Sequence, residues 1–128
     1  MGKRTRRSAN GPGPQRAHEQ VLSAAAPSTV YAGVDGVELE LRGALTLKTR
    51  SQYAATLNAG LDREDAWQRA VELLFERLTV SWTIAGLRID RQRELLGRYR
   101  IATADERRFV RDSLRAHLAE NFPEMEAP

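Results

Sequence analysis

Between Leu61 and Pro123 the apolar residues recur at helical spacing, and both tryptophans, Trp67 and Trp82, lie in the first half of that stretch. Such a chain must build its core from helices. Asp62 is a capping residue, and Glu64 and Asp65 suit the positive end of a helix dipole. The helix they open is predicted to run to about Ala85, where Gly86 ends it. Trp67, Ala70, Val71, Leu73, Leu74, Phe75, Leu78, Val80, Trp82 and Ile84 spread over more than one narrow stripe of it. A helix of that kind is central to a core or leaves an apolar face for a partner. Leu87 and Ile89 flank Arg88 in a short link. Asp90 then caps a helix to about Tyr99, with Glu94 and Arg98 paired four residues apart. The last helix opens on Thr103-Ala104-Asp105-Glu106, which fits a capping box. Val110, Leu114 and Leu118 form its buried stripe with Phe109 alongside, and Asn121 and Pro123 stop it.

Upstream the period changes. Val37, Leu39 and Leu41 alternate with Glu38, Glu40 and Arg42, behind the turn pair Asp35-Gly36. That pattern predicts a hairpin over Thr29 to Gly43, laid by its apolar face on the helices, because a lone hairpin is marginal in water. Thr46 caps a further helix to about Asn58, with Leu47, Ala54, Leu57 and Leu61 on one stripe and Tyr53 beside it. The predicted fold is mainly α, a compact bundle of about four helices with a small N-terminal β-hairpin.

With 128 residues the chain holds one domain, predicted over 28–128, behind a basic tail over 1–27. Gly11-Pro12-Gly13-Pro14 resists a helix, and the tail has little to bury, so it is expected to be disordered and dispensable for folding. Charge divides in the same place. Residues 1–20 hold five basic side chains and one acidic, a net of +4, whereas residues 21–128 hold 15 basic and 16 acidic, a net of −1. A nucleic-acid-binding domain usually carries its basic excess on the folded part. The absence of cysteine excludes disulfides and thiolate metal sites. No apolar run is long enough to span a membrane, and no secretory signal is expected.

No phosphate loop or metal-ligand spacing is present, so the expectation is a non-enzymatic protein with no cofactor and no metal. His18 and His117 are the only imidazoles, and His117 reads as a partly positive ring suiting a helix C-terminus. Glu72 and Glu76 read as a solvated face balanced by Arg69 and Arg77. Arg108 can pair with Asp112. Arg107, Arg111 and Arg115 form a ridge that could meet phosphates, with Arg4, Arg6 and Arg7 of the tail as further contacts. Trp67 and Trp82 read as core residues, and either could serve as an interface anchor.

Three groups of segments carry a family resemblance. They are Gly36-Val-Glu-Leu-Glu-Leu-Arg42 with Ala44-Leu-Thr-Leu-Lys48; Leu74-Phe-Glu-Arg-Leu-Thr-Val-Ser-Trp82 with Ile84-Ala-Gly-Leu-Arg-Ile-Asp90; and Glu94-Leu-Leu-Gly-Arg-Tyr-Arg100 with Arg107-Arg-Phe-Val-Arg-Asp112 through Asn121-Phe-Pro123. Over about residues 30–126 the chain resembles tail assembly chaperones of long-tailed bacteriophages, in particular those of actinobacteria. The basic tail is not part of that pattern. The resemblance implies a non-enzymatic protein of the host cytoplasm that binds the tape-measure protein, and tail-tube subunits with it. Such a protein keeps long apolar helices soluble during virion morphogenesis and is typically absent from the finished particle. Self-association is compatible with that role. The competing classes are a small structural tail or connector protein of the virion and a small nucleic-acid-binding regulator. The expected partner surface is an apolar strip of Trp82, Leu87, Ile89 and Leu95, taking an amphipathic helix in a groove.

Overall fold

A computed structural model describes residues 27–60 and 62–128. In chain order the elements are β1 (Thr29–Ala32), a 3-10 turn (Val34–Gly36), β2 (Glu38–Leu41), α1 (Leu47–Leu57), α2 (Arg63–Leu78), β3 (Thr79–Ile84), β4 (Leu87–Ile89), α3 (Gln92–Arg100) and α4 (Ala104–Asn121). Helix predominates, as expected. The strands, however, form one four-stranded antiparallel sheet in the order β1-β2-β3-β4, not a single N-terminal hairpin. The expected helical bundle is therefore a set of helices against one face of a sheet.

The correction arises at Leu78. The helix expected to reach Ala85 stops there, and Thr79-Val-Ser-Trp-Thr-Ile continues as a strand. Thr79, Val80, Thr83 and Ile84 are β-branched and lose side-chain freedom in a helix. Beside β2 they gain a ladder instead, with Leu39 opposite Trp82 and Glu38 opposite Thr83. Gly86 is a turn residue, not a helix stop. Ala85 and Gly86 both have positive φ, at 52° and 79°, the backbone sign of a two-residue hairpin turn that joins Ile84 to Leu87. The "link" of Leu87 and Ile89 is strand β4.

A bulge sets the inner face. Glu40 pairs with Ser81 but Leu41 pairs with Thr79, which leaves Val80 as the extra residue of β3. Thr79 and Trp82 are thus both aligned with the inward pair Leu41 and Leu39. Leu39, Leu41 and Trp82 are fully buried. Across from them α2 supplies Ala70, Leu74, Phe75 and Leu78, and α4 supplies Val110, Leu114 and Leu118. Trp82 meets the Phe75 ring edge-on at 5.5 Å, and Phe75 stacks on Tyr99 of α3 at 4.8 Å. Burying each such large side chain stabilises the fold by about 1.5–3 kcal/mol.

The capping residues behave as expected at three of four helices. Thr46 accepts from Thr49 N at 3.1 Å, Asp62 from Glu64 N at 3.2 Å, and Thr103 and Glu106 complete a capping box. At α3 the cap position is Arg91, whose guanidinium has no acceptor to offer, and Asp90, one residue earlier, pairs with Arg88 instead. Other pairings also differ from expectation. Arg98 reaches Glu106 at 2.8 Å rather than Glu94, Arg100 reaches Glu72 at 2.8 Å, and Arg108 and Arg115 face Asp105 and Asp112. On α1 the buried positions are Thr49 and Tyr53, while Leu47, at the first helical position, is exposed.

His117 is a core residue and not a partly positive helix end. It is fully buried on α4, where its Nε2 lies 2.6 Å from the Arg42 carbonyl. A carbonyl only accepts, so Nε2 carries the proton. Nδ1 is then the acceptor, for the Tyr31 hydroxyl of β1 at 2.9 Å and the Asn121 amide at 3.2 Å. Burial pushes the imidazole pKa down, opposed by the Arg42 bond and by Glu120. The ring is neutral, and it ties α4 to the sheet edge. Nearby, a Cβ at Gly33 would lie 2.8 Å from the Phe109 ring, so only glycine lets α4 pack this closely on the first hairpin.

After α4 the chain turns back as a strap. Phe122 is buried, and Arg50 of α1 lies over its ring at 5.2 Å. Arg50 pairs with Glu124 at 3.1 Å, and the Tyr53 hydroxyl donates to the Glu126 carbonyl. The predicted tail, residues 1–27, lies almost wholly outside the described residues.

Candidate binding groove

The expected apolar strip does not form. Trp82 has no exposed surface, and Leu95 is buried at 4% exposure. Both are withdrawn into the core: Trp82 is held between β2 and β4 with Phe75 against its ring and Arg98 over it at 5.7 Å, and Leu95 packs in the same cluster. Ile89 is half-buried opposite Trp82 in the ladder. Leu87 alone is open, at 66% exposure, on an edge strand of three residues. Arg4, Arg6 and Arg7 lie outside the described residues.

The arginine ridge does come together, in a setting the sequence did not show. Arg107, Arg111 and Arg115 follow one another along α4 and face the first half of α2 across an open groove of about 630 Å³. Its floor is Trp67 and Val71 of α2 with Tyr99 of α3. Val71 and Tyr99 are buried, and Trp67 is half-buried. Arg63 and Arg108 complete the basic rim, Glu64 and Gln68 line the α2 side, and Pro128 of the strap lies at the end by Arg115. From Ala104 to Arg115 the wall is about 17 Å long, or three helical turns.

Several rim charges are held in place by the fold. Arg107 donates to the Arg100 carbonyl at 2.7 Å and lies over the Tyr99 ring at 5.2 Å. Arg115 Nε donates to the Pro128 main-chain oxygen at 2.7 Å, leaving its outer nitrogens toward Asp112 at 3.5 Å. Arg63 and Arg111 have no ion-pair partner among the described residues. Burial raises the Tyr99 phenol pKa, while Arg107 and Arg111 pull against it and Glu72 adds to it. Tyr99 therefore stays a neutral phenol beneath two guanidinium groups.

No family model, curated protein or solved structure matches the chain. The site thus rests on geometry. Among the described residues no group of three or more His, Cys, Asp or Glu is placed to hold a metal ion, and no helix is long and apolar enough to cross a membrane. The groove is a concave surface with an apolar aromatic floor and a basic rim. Chemically it can seat the apolar edge of a ligand and grip carboxylate or phosphate oxygens at its sides. In the sequence Trp67 reads only as a core residue that could serve as an interface anchor, and Tyr99 and Arg63 were missed as site residues. Their signal was slight: Trp67 and Val71 recur four residues apart beside Arg63, which reads equally well as core.

Proposed function

We propose that this protein is a tail assembly chaperone of a long-tailed bacteriophage, acting without chemistry of its own in the host cytoplasm. Its client on this reading is the tape-measure protein, with tail-tube subunits as further partners. The resemblance of residues 30–126 motivates the reading, and the groove between α2 and α4 is the observation that supports it. A wall three turns long with Trp67, Val71 and Tyr99 beneath it suits an amphipathic helix laid in a groove. Aromatic side chains in a concave, partly desolvated position are the usual anchors of such contacts. The partner surface moves accordingly from the Trp82–Leu95 strip to this groove, with Leu87 left as an isolated exposed side chain.

The test is co-production with the tape-measure protein of the same phage. The expected result is soluble tape-measure protein that co-purifies with this chain and precipitates without it. Tape-measure protein equally insoluble in both cases would refute the reading. Detection of the chain in purified particles, at a stoichiometry matching a tail component, would favour a structural tail or connector protein instead.

A further inference from the structure

We infer that the groove between α2 and α4 selects an acidic amphipathic helix, gripped by its carboxylates along Arg107, Arg111 and Arg115 and seated by its apolar edge on Trp67. This deepens the chaperone reading by giving the chemistry of the client segment, and it rests on the same groove. Three observations carry it. The first is charge: the groove is lined by five arginines and one glutamate, while the chain from residue 21 onward has 15 basic and 16 acidic side chains. A folded part with no net positive charge thus concentrates five of its arginines at this one place. The second is spacing. Arginines four residues apart on α4 stand about 6 Å apart along the axis, the rise of one helical turn and a little more. A helix with Glu or Asp at every fourth position presents carboxylates at the same interval. The third is the floor. Trp67 keeps part of its surface open there, backed by the buried Val71 and Tyr99, and a helix edge of Leu or Phe can cover it.

A nucleic-acid strand fits less well. Phosphates could meet the same ridge, but the opposite wall carries Glu64, and Asp105 and Asp112 stand beside Arg108 and Arg115 on α4. A short helix keeps to the groove. A long polyanion runs on over a surface whose described residues carry no net positive charge, which weakens its counterion-driven binding there. Arg63 and Arg111, with no ion-pair partner among the described residues, are the guanidinium groups most available for a bidentate carboxylate contact.

The experiment uses the full chain and three fluorescein-labelled 20-residue helical peptides. One has Leu at i, i+3 and i+7 and Glu at every fourth position of an adjoining row. The others carry Gln or Lys in place of that Glu row. Anisotropy titration is expected to give the acidic peptide at least about tenfold tighter binding than the Gln peptide, the equivalent of one good charge pair. Arg111→Glu is expected to weaken the acidic peptide about tenfold or more and to strengthen the Lys peptide, a swap that a merely unfolded variant cannot give. Arg63→Gln/Arg111→Gln, both at exposed positions, should weaken the acidic peptide while the circular dichroism stays unchanged. Equal affinity for the acidic and Gln peptides would overturn the inference. So would displacement of the peptide by a single-stranded oligonucleotide whose own binding falls as steeply on Arg111→Glu, since the groove would then be a phosphate site. Tape-measure protein that co-purifies equally with wild type and Arg111→Glu overturns the inference and leaves the chaperone reading intact. Acidic peptide that binds as expected, with no tape-measure protein retained, supports the inference and removes the chaperone reading.

Discussion

Replacing His117 with Phe keeps an aromatic ring of similar shape in the core and removes both ring nitrogens. The Arg42 carbonyl loses a side-chain donor, the 2.6 Å bond from Nε2, and the Tyr31 hydroxyl loses its acceptor at 2.9 Å. A buried polar group left without a partner costs about 1–3 kcal/mol. Tyr31 is half-buried and its hydroxyl can turn to water, so its share lies at the low end. Packing against Phe122, now edge-on at 5.9 Å, is kept. The expected loss is about 2–4 kcal/mol, large against the roughly 5–15 kcal/mol that holds a domain of this size. Urea denaturation followed by circular dichroism should show a lower midpoint with an unchanged slope. The pH dependence supplies the sharper check. Burial lowers the folded-state pKa of His117 below its unfolded value near 6.5, with the Arg42 bond and Glu120 opposing. The folded state therefore takes up fewer protons. The contribution is fully present above about pH 6.5 and is lost as pH falls through the depressed folded value. Wild type should weaken between pH 7.5 and 5 more than His117→Phe does, and the comparison cancels His18, which both chains share. Equal pH slopes, or a cost below about 0.5 kcal/mol at pH 7.5, would refute a neutral, hydrogen-bonded His117.

Further outcomes follow from the packing. Gly33→Ala should lower the melting temperature by an amount equivalent to about 1–3 kcal/mol, because its Cβ meets Phe109 at 2.8 Å, and most of that loss should vanish in a Phe109→Ala background. Thr103→Ala removes the capping box of α4 and should cost about 1 kcal/mol by urea denaturation. Leu87→Ser should change stability by less than about 0.5 kcal/mol, whereas Ile89→Ser should cost more than 1, since only Ile89 faces Trp82 across the ladder.

What was legible in the sequence was local. The capping box at Thr103, the stripe Val110, Leu114 and Leu118, and the alternation from Val37 to Arg42 each depend on residues within a turn or two of each other, and each lies where the pattern places it. The end of α2 was misjudged because Val80, Trp82 and Ile84 extend an apolar helical pattern and also alternate as a strand does. The partner β2 decides between the two, and it lies far back in the chain. The partner surface was misplaced for the same reason: once β3 is a strand, Trp82 is enclosed. The arginine ridge was legible as a ridge, but the facing wall of Trp67 and Val71 is brought to it only by the packing of α2 against α4. His117 was read as a partly positive helix end because its partners, Tyr31 and Arg42, lie 86 and 75 residues away along the chain.

The join between β2 and β3 has a consequence for how this protein reaches its fold. β1 with β2, and β3 with β4, are each local hairpins that a short turn can close. The strands at the centre of the sheet, however, meet only after α1 and α2 have been looped out between them. Closing that loop costs entropy before any of the central contacts form, which slows folding relative to a bundle of sequential helices. Neither hairpin holds its shape alone for long. The two hairpins therefore become stable only as they join, with Leu39 against Trp82 at the seam. A chain cut between α1 and α2 should yield two pieces that are unstructured apart and regain the sheet together.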